Sequence, residues 1–289
     1  MDTHKLMLRR IYSLPVCLLL TSCAWQGNRS ADAIPAINSL EQAVTINTQN
    51  CSDILTVQTQ MNLQQFDSKR IRLLNWNTQK QSHAGMQDDL SLLGREADLI
   101  LLQEALVDHS NIANIDARLH WVFAPGYIQS SVSTGVMTAS RVAPLTYCKL
   151  SDIEPWLGSP KAINITRYAL SGTDETLLVI NVHLINFTLG ISAMQTQLEQ
   201  ALVLVTQHDG PVIIAGDFNT WSKEREVAVT SMLGRHDMQP VQYVNDQRTR
   251  ILGRPVDHFY VRGIHTAVAT SYPTENSDHN PIAVVLELL

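Results

Sequence analysis

The stretch Pro211–Ser222, PVIIAGDFNTWS, joins a short apolar run to an abruptly polar ending. Val212–Ala215 has the composition and length of a fully buried strand. Gly216 lets the backbone turn without a side chain in the way, and Asp217 and Asn219 then follow two residues apart. Residues two apart on a strand share a face, so the stretch predicts a carboxylate beside a carboxamide at a strand end. Taken alone, these letters favour an Asx-type turn that closes a core strand.

The same arrangement recurs along the chain. Polar residues at the end of an apolar run, or one residue beyond it, are Asn77, Glu104, His183, Asp257 and the pair Asp278 and His279. Ends of neighbouring strands converge on one rim of a sheet, where functional sites are usually built. Oxygen ligands suit Mg²⁺, Mn²⁺ or Ca²⁺, and the sequence has neither the Cys cluster nor the HExxH spacing of zinc sites. The pattern therefore predicts a hard-cation site at a sheet rim.

Hydrophobic periodicity predicts the elements that carry these residues. Strands are predicted at 71–76, 98–103, 121–124, 135–140, 144–150, 162–170, 177–182, 212–215, 256–261, 264–270 and 282–288, and helices at 87–96, 107–119, 190–207 and 222–233. The strand at 162–170 alternates apolar and polar side chains, which predicts a half-exposed strand. Basic residues that could border a cleft are Lys161, Arg167, Lys223 and Arg225, but a solvated surface is favoured for each.

The first 22 residues have the pattern of a signal peptide, with basic residues before the apolar run Ile11–Leu20, which is too short to span a bilayer. The letters LTSC at Leu20–Cys23 resemble the lipobox of bacterial lipoproteins. This resemblance implies cleavage before Cys23 and acylation of its thiol. Ala24 in the next position resembles sorting to the outer membrane, facing the periplasm. A secreted protein and an inner-membrane anchor are the alternatives.

The composition of the whole chain, with 45% hydrophobic and 17% charged residues, is that of an ordinary globular protein. Residues 23–69 are predicted to be a lipid-anchored tether and N-terminal arm, and residues 70–289 a single, monomeric domain. The formal net charge of −6 argues against tight nonspecific binding to duplex nucleic acid, although a cleft can be basic locally. Cys51 and Cys148 either form one disulfide in an oxidising periplasm or remain two separate buried thiols.

Six short motifs in order resemble those of the endonuclease/exonuclease/phosphatase superfamily, which has the DNase I-like fold. They are LNWN (74–77), LLQEA (101–105), NVH (181–183), GDFN (216–219), the segment 257–260 and SDHNP (277–281). The chain also resembles a small bacterial branch through SxGVMT (133–138), INFTLG (185–190) and GRPVD (253–257). The fold implied is an α/β (α+β) four-layered sandwich, in which two mixed β-sheets pack face to face with helices outside.

The resemblance implies a metal centre for Mg²⁺, or Mn²⁺ in its place. Glu104 is then the principal carboxylate ligand, with Asn77 nearby and Asp278 on a possible second metal position. Many members of the superfamily have an aspartate two residues beyond the asparagine of the WN motif, where this chain has Gln79. That departure favours a mechanism with one metal ion.

Five further residues receive catalytic roles from the resemblance. His279 hydrogen-bonds the scissile phosphate or handles the proton of the attacking water, and Asp257 holds its ring. Asp217 orients or deprotonates that water, Asn219 contacts a phosphate oxygen, and His183 lies near the leaving group. These residue types suit a phosphate ester, because a metal and donors must absorb the charge that develops while a carboxylate aims the water.

The sequence therefore predicts a divalent-metal-dependent phosphoesterase that hydrolyses phosphodiesters by in-line attack of an activated water. A nuclease acting on DNA or RNA is one alternative, and a non-catalytic binding module on the same fold is another. The substrate is a phosphate ester of nucleic acid, of a lipid headgroup or of a small metabolite, and the acidic charge with the anchor at Cys23 favours the last two. Neither a basic insertion for gripping DNA nor an apolar hairpin for entering a membrane is evident.

Overall fold

Two seven-stranded mixed β-sheets form the centre of the molecule in a computed structural model, which describes residues 37–38, 44–45, 51–56, 64–106, 115–129 and 132–288. The strands are β1 Ile37–Asn38, β2 Val44–Thr45, β3 Ile71–Asn77, β4 Leu99–Leu106, β5 His120–Gln129, β6 Val132–Ser140, β7 Thr146–Ile153, β8 Pro160–Ala169, β9 Thr176–His183, β10 Val212–Asp217, β11 Gln239–Pro240, β12 Arg250–Ile251, β13 Arg254–Pro255, β14 Asp257–Arg262, β15 Ile264–Ser271 and β16 Ile282–Leu288. The helices are α1 Asp53–Thr56, α2 Met86–Gly94, α3 Ser192–Gln207 and α4 Lys223–Gly234.

The two sheets have related strand arrangements. The first has the order β1-β5-β6-β4-β3-β16-β15 and the second β11-β14-β10-β9-β8-β7-β2, while β12 and β13 form a separate hairpin. Each sheet contains one parallel pair near its centre, β3 with β4 and β9 with β10. The carboxyl-terminal parts of these four strands supply four of the polar residues described below, Asn77, Glu104, His183 and Asp217.

Apolar side chains divide into layers that match the predicted sandwich. One cluster lies between the sheets and includes Leu73, Leu101, Val179 and Ala215. A second packs α3 and α4 on the outer face of one sheet, and a third packs α2 on the outer face of the other. The expected order of helices, sheet, sheet and helices is confirmed.

A buried amide network joins the two sheets directly beneath their polar edge. Gln103 Nε2 donates across to the other sheet, to Asn181 Oδ1 at 2.6 Å, and also to Asn75 Oδ1 at 3.0 Å on the neighbouring strand of its own sheet. Asn181 Nδ2 donates in turn to the carbonyl of Met137 at 2.9 Å. Because an unpaired buried amide is costly, this network fixes how the two sheets are placed relative to each other.

Several predicted elements differ from the structure. The strand at 162–170 is not half exposed, because β8 lies inside its sheet and nearly all its residues are buried. Of the helix predicted at 107–119, residues 107–114 lie outside the described residues, and 116–119 form a turn. The strand predicted to end at Gln103 continues to Leu106 through a bulge.

The N-terminal arm contacts both sheets. β1 pairs with β5 and β2 pairs with β7, and a disulfide joins Cys51 to Cys148, which settles the alternative that the sequence left open. The predicted signal peptide, residues 1–22, and the anchor at Cys23 lie outside the described residues. Among the helices that the structure describes, none combines the length and hydropathy needed to cross a bilayer.

Candidate active site

A cavity of about 620 Å³ opens where the polar ends of the strands meet. Seven of the eight predicted site residues line it, namely Asn77, Glu104, His183, Asp217, Asn219, Asp278 and His279. The eighth, Asp257, lies behind His279 and contacts its ring. Both sheets contribute, so the sequence prediction that separated strand ends converge on one place agrees with the geometry. The individual roles of these residues stay predictions.

The side chains at the ends of β3, β9 and β10 converge because they lie on the faces of their strands that point toward the opposite sheet. Ile213 and Ala215 of β10 lie in the cluster between the sheets, and Asp217 continues the same alternation at the strand end. His183 follows Asn181 on β9 in the same way, and Asn77 follows Asn75 on β3. The interior thus passes from an apolar layer through the amide network to a charged edge.

Asp217 is a buried carboxylate at the end of β10, in the wall of the cavity. Its Oδ2 accepts a hydrogen bond from Asn77 Nδ2 at 3.0 Å, and its Oδ1 accepts one from the backbone N–H of Asn219 at 2.9 Å. Burial raises the pKa of this carboxyl, although the charge of His279 acts in the opposite direction. A carboxylate with a raised pKa accepts a proton from water more readily than an ordinary aspartate does.

His279 is held as a cation. Burial acts to lower the pKa of His279, but the charge of Asp257 and the hydrogen bond that the ring donates to Asp257 outweigh burial and raise that pKa to about 10. The bond joins Nδ1 to Asp257 Oδ2 at 2.7 Å. The backbone is fixed as well, since Trp76 Nε1 donates to the His279 carbonyl at 2.7 Å and Ser277 Oγ accepts from the His279 N–H at 3.1 Å. The free Nε2 is therefore a donor at a fixed position.

His183 is held neutral. Burial lowers the pKa of this imidazole well below its ordinary value, and the charge of Lys161 acts in the same direction. Lys161 Nζ lies 2.7 Å from His183 Nε2. A neutral ring accepts this hydrogen bond from the ammonium, so the pair presents one positive charge to the cavity through the lysine.

Glu104 reaches the cavity because its strand is bulged. Ile100 and Leu102 of β4 face the α2 side, and an unbroken strand would send Glu104 there too. The register shift between Leu102 and Ala105, with a φ of 50° at Glu104, turns the carboxylate into the cavity instead. Burial raises the pKa of Glu104, although Lys161 and Lys80 act in the opposite direction.

The backbone at Asn219, in the turn after β10, differs from the extended conformation that the sequence predicted. Asn219 has a φ of 51° and lies beyond the strand, so it does not share a pleat with Asp217. The Asx-type turn is present, because the Asn219 N–H bonds to Asp217, and the Asn219 Nδ2 donates to the Leu184 carbonyl at 2.9 Å. The stretch is a structural turn and also part of the cavity wall.

Gly216 is needed for a close approach between strands. A Cβ on Gly216 would lie 2.0 Å from the carbonyl oxygen of Val182, and its φ is 142°. No side chain fits there, because the contact is with backbone and not with a flexible group. The glycine therefore sets the spacing of β9 and β10 just below His183 and Asp217.

Two lysines belong to the cavity, of which the sequence analysis did not name Lys80 and named Lys161 only as a residue that could border a cleft. Lys161 lies in the cavity wall and not on a solvated surface, and Lys80 Nζ lies 3.9 Å from Glu104 Oε2 and 5.6 Å from the Tyr127 ring centre. The surface prediction was also wrong for Arg167 and Arg225, which are buried, and only Lys223 is exposed. A single lysine carries no motif, so nothing in the sequence marked Lys80.

Gln79 occupies the position where an aspartate was expected from the resemblance. Its Oε1 accepts a hydrogen bond from the backbone N–H of Asp278 at 3.2 Å, and its own N–H donates to Asn77 Oδ1 at 3.1 Å. Gln79 thus positions the loop that carries Asp278 and His279.

The residues of the cavity fit a divalent cation. Oxygen donors on its wall are Asn77, Glu104, Asp217 and Asp278. Among the described residues, Asp217, Asp257 and His279 also offer ligand atoms within 4.8 Å of one another. We favour the wall around Glu104, since Asp257 and His279 already hydrogen-bond to each other. Hard oxygen donors suit Mg²⁺ or Mn²⁺.

Sequence comparison gives one family and a group of relatives. Residues 74–279 match the model of a family described as Endonuclease/Exonuclease/phosphatase family. A UPF0294 protein of Vibrio parahaemolyticus is 36% identical over 231 residues, which cover 77% of this chain and 79% of the relative. A UPF0294 protein of Vibrio vulnificus is 36% identical over 228 residues, covering 76% and 78%.

Solved structures share the fold at low sequence identity. An endonuclease/exonuclease/phosphatase from Beutenbergia cavernae has a TM-score of 0.60 at 14% identity, covering 76% of this chain and 72% of that one. The human Nocturnin catalytic domain with bound sulfate has a TM-score of 0.60 at 16% identity, covering 79% of this chain and 97% of that one. ANGEL2, a 2′,3′-cyclic phosphatase in complex with adenosine-2′,3′-vanadate, has a TM-score of 0.60 at 12% identity, covering 80% of this chain and 99% of that one. The DNase I-like sandwich expected from the sequence is confirmed.

Proposed function

The chain belongs to the endonuclease/exonuclease/phosphatase family, and from this premise we propose that it is a divalent-metal-dependent phosphodiester hydrolase. Membership supports hydrolysis of phosphate esters as the reaction class. One observation carries the finer proposal. Asp217 Oδ2 lies 3.6 Å from a neutral imidazole, His183, and 3.9 Å from a cationic one, His279. Neighbouring groups whose pKa values are pushed apart are typical of acid and base pairs in hydrolases.

The reaction uses these groups in distinct ways. Water attacks phosphorus in line with the leaving oxygen, and its proton passes to the Asp217 carboxylate as the new oxygen–phosphorus bond forms. His279 Nε2 donates to a phosphoryl oxygen, where negative charge develops. Of the two roles that the sequence left open for His279, the raised pKa supports this donor role. As the ester bond breaks, the leaving oxygen takes a proton from Lys161, which His183 holds in place.

A divalent cation completes the site in this proposal. Glu104, Asn77 and Asp278 would hold it, and the cation would neutralise charge on the phosphoryl oxygens. Gln79 cannot supply a further carboxylate, which supports a single metal ion. The two nearby lysines also offset part of the Glu104 charge, so cation affinity at this wall depends on the balance between them.

Hydrolysis of bis-p-nitrophenyl phosphate by the purified full chain tests the proposal. With Mg²⁺ or Mn²⁺ the wild type is expected to release nitrophenol, and EDTA to stop it. His279→Asn should lower the rate about 100-fold or more, because the charged donor is lost. His265→Asn is the matched control, since His265 is exposed on the edge strand β15.

Equal rates for the two histidine variants would contradict the role of His279 and would point to a contaminating enzyme. Absence of hydrolysis of diester, monoester and nucleic acid with every divalent ion would instead favour the non-catalytic binding module.

A further inference from the structure

Exposed apolar side chains surround the mouth of the cavity. Four of them line it, Trp156, Leu157, Phe187 and Ile251, and two more, Leu189 and Leu252, lie next to these along the chain. Leu189 is 78% exposed and Leu252 81%. We call these six residues the apolar rim. Large apolar groups gathered around a polar site are typical of a surface that binds something apolar.

A buried carboxylate holds two of the loops that carry the rim. Glu154 Oε1 accepts hydrogen bonds from the backbone N–H groups of Asn186 at 2.7 Å and Phe187 at 3.1 Å. Its Oε2 accepts one from Ser159 Oγ at 2.6 Å. Because Glu154 is 1% exposed, these bonds are strong, and they fix the loop after β7 against the loop after β9. The rim is therefore built into the fold.

The third part of the rim is the tip of the β12–β13 hairpin. Leu252 has a φ of 49°, and the next residue, Gly253, has a φ of 80°. A positive φ is unfavourable for a leucine, and at 81% exposure little packing within the chain compensates for it. The two-residue turn of the hairpin requires a positive φ at both positions, and it presents the Leu252 side chain to solvent at the tip.

The charged residues inside the cavity, which form its polar floor, and the apolar rim around its mouth together fit an amphiphilic ligand. Lys80 and Lys161 line the cavity and attract an anionic group. Four of the six rim residues are aliphatic, whereas stacking on nucleobases needs aromatic faces. A formal net charge of −6 also disfavours a nucleic-acid backbone.

Resting on the proposed function, we propose that the apolar rim enters the surface of a phospholipid membrane and that the substrate is a phospholipid. The phosphate ester then reaches the polar floor while the rim contacts the acyl region. A tryptophan beside leucines is well suited to the boundary between headgroups and hydrocarbon. The membrane anchor that the sequence predicts at Cys23 would keep the rim close to lipid.

Quenching of tryptophan fluorescence tests the contact without requiring catalysis. The full chain in EDTA is mixed with vesicles of phosphatidylethanolamine and phosphatidylglycerol that carry brominated acyl chains. We expect quenching that is partly lost in Trp156→Phe, which separates Trp156 from the other tryptophans of the chain. Leu252→Gln should weaken the quenching of Trp156, and Val227→Gln, an exposed residue on α4, should not. Equal quenching in wild type and Trp156→Phe would overturn the membrane contact.

Relative hydrolysis rates test the substrate. For Leu252→Gln, the rate on vesicle phospholipid divided by the rate on bis-p-nitrophenyl phosphate should fall about tenfold, because the lost apolar contact matters only at the membrane. Val227→Gln should leave this ratio unchanged.

An unchanged ratio for Leu252→Gln, or a selective loss of oligonucleotide hydrolysis, would overturn the phospholipid substrate. Diester hydrolysis without quenching of Trp156 would leave the proposed function intact and overturn the rim. Quenching of Trp156 without hydrolysis of any ester would support the membrane contact and overturn the substrate.

Discussion

One histidine of the cavity is neutral and the other is cationic, because their neighbours differ. His279 hydrogen-bonds to a carboxylate, Asp257, and its pKa rises to about 10. Burial lowers the pKa of His183, and the charge of the Lys161 ammonium, which hydrogen-bonds to the ring, lowers it further. Asp217 lies within 4 Å of both rings. One carboxylate between a donor and an acceptor is an arrangement suited to moving a proton from water.

Gly216→Ala tests the close approach of β9 and β10. The added Cβ would meet the Val182 carbonyl at 2.0 Å, and the strands must separate to accept it. We expect the free energy of unfolding, measured in urea, to fall by at least about 3 kcal/mol.

Gly234→Ala is the control for this substitution, because nothing lies within 4 Å of a Cβ at the last residue of α4. It should be neutral or slightly stabilising. Similar losses for both variants would mean that the contact at Gly216 is not the cause.

Among single residues, the sequence identified the polar residues at the ends of apolar runs but not those that reach the site from other positions in the chain. Asp217 could be found because its strand is a clear apolar run. Lys161 is the second residue of β8, and it meets His183 only because β8 and β9 pair antiparallel, with Ile163 opposite Val182. Strand pairing is a property of the fold and leaves no local pattern around a lysine.

Helix α4 is joined to the site by a buried arginine. Arg225 Nε donates to the Asn219 carbonyl at 2.6 Å, and its Nη2 donates to the Ile185 carbonyl. Its guanidinium lies 5.5 Å from the Trp221 ring centre. The helix thereby positions both the turn after β10 and the loop after β9, which border the cavity.

Replacing Arg225 with methionine keeps an unbranched apolar stem but removes the guanidinium and with it these bonds. We expect the free energy of unfolding to fall by about 3 kcal/mol, since two carbonyls lose a charged donor. The diesterase rate at a temperature where the variant is folded should fall as well, because the Asn219 turn loosens.

Lys223→Met on the same helix is the control, because Lys223 is exposed. It should change both quantities little. An Arg225→Met variant as stable as Lys223→Met would show that the buried bonds do not support the helix.

Element by element, the apolar runs of the central strands were predictable and the state of β8 was not. Alternation on β8 suggested one exposed face. The polar side chains instead point between the sheets, where Asn164 Nδ2 donates to the Val122 carbonyl at 3.1 Å. A buried polar residue with a partner on the other sheet looks the same in sequence as an exposed one. Only the packing of the sheets separates the two cases.

For the whole molecule, a disulfide ties the N-terminal arm to the sandwich. Cys51 and Cys148 lie 97 residues apart in the sequence. Closing a loop of this size restricts the unfolded chain, so reduction should lower the free energy of unfolding by about 4 kcal/mol. Thermal unfolding with and without a phosphine reductant measures this.

The Cys148→Ser variant should already have the lower stability, and the reductant should have no further effect on it. A wild-type melting temperature that does not respond to reduction would contradict the predicted contribution.

The architecture as a whole makes the site a product of both sheets. Neither parallel pair alone contains a complete set of groups, since Asn77 and Glu104 come from one sheet and His183 and Asp217 from the other. The family motifs predicted this convergence correctly. The apolar rim could not be predicted, because its residues come from three separate loops that have no shared pattern.

The position of Mn²⁺ in a crystal of the protein, located by its anomalous scattering, tests most directly whether these strand ends form one cation site. The account predicts a peak inside the cavity in contact with the Glu104 carboxylate. A peak elsewhere, or an empty cavity at saturating Mn²⁺, would contradict it.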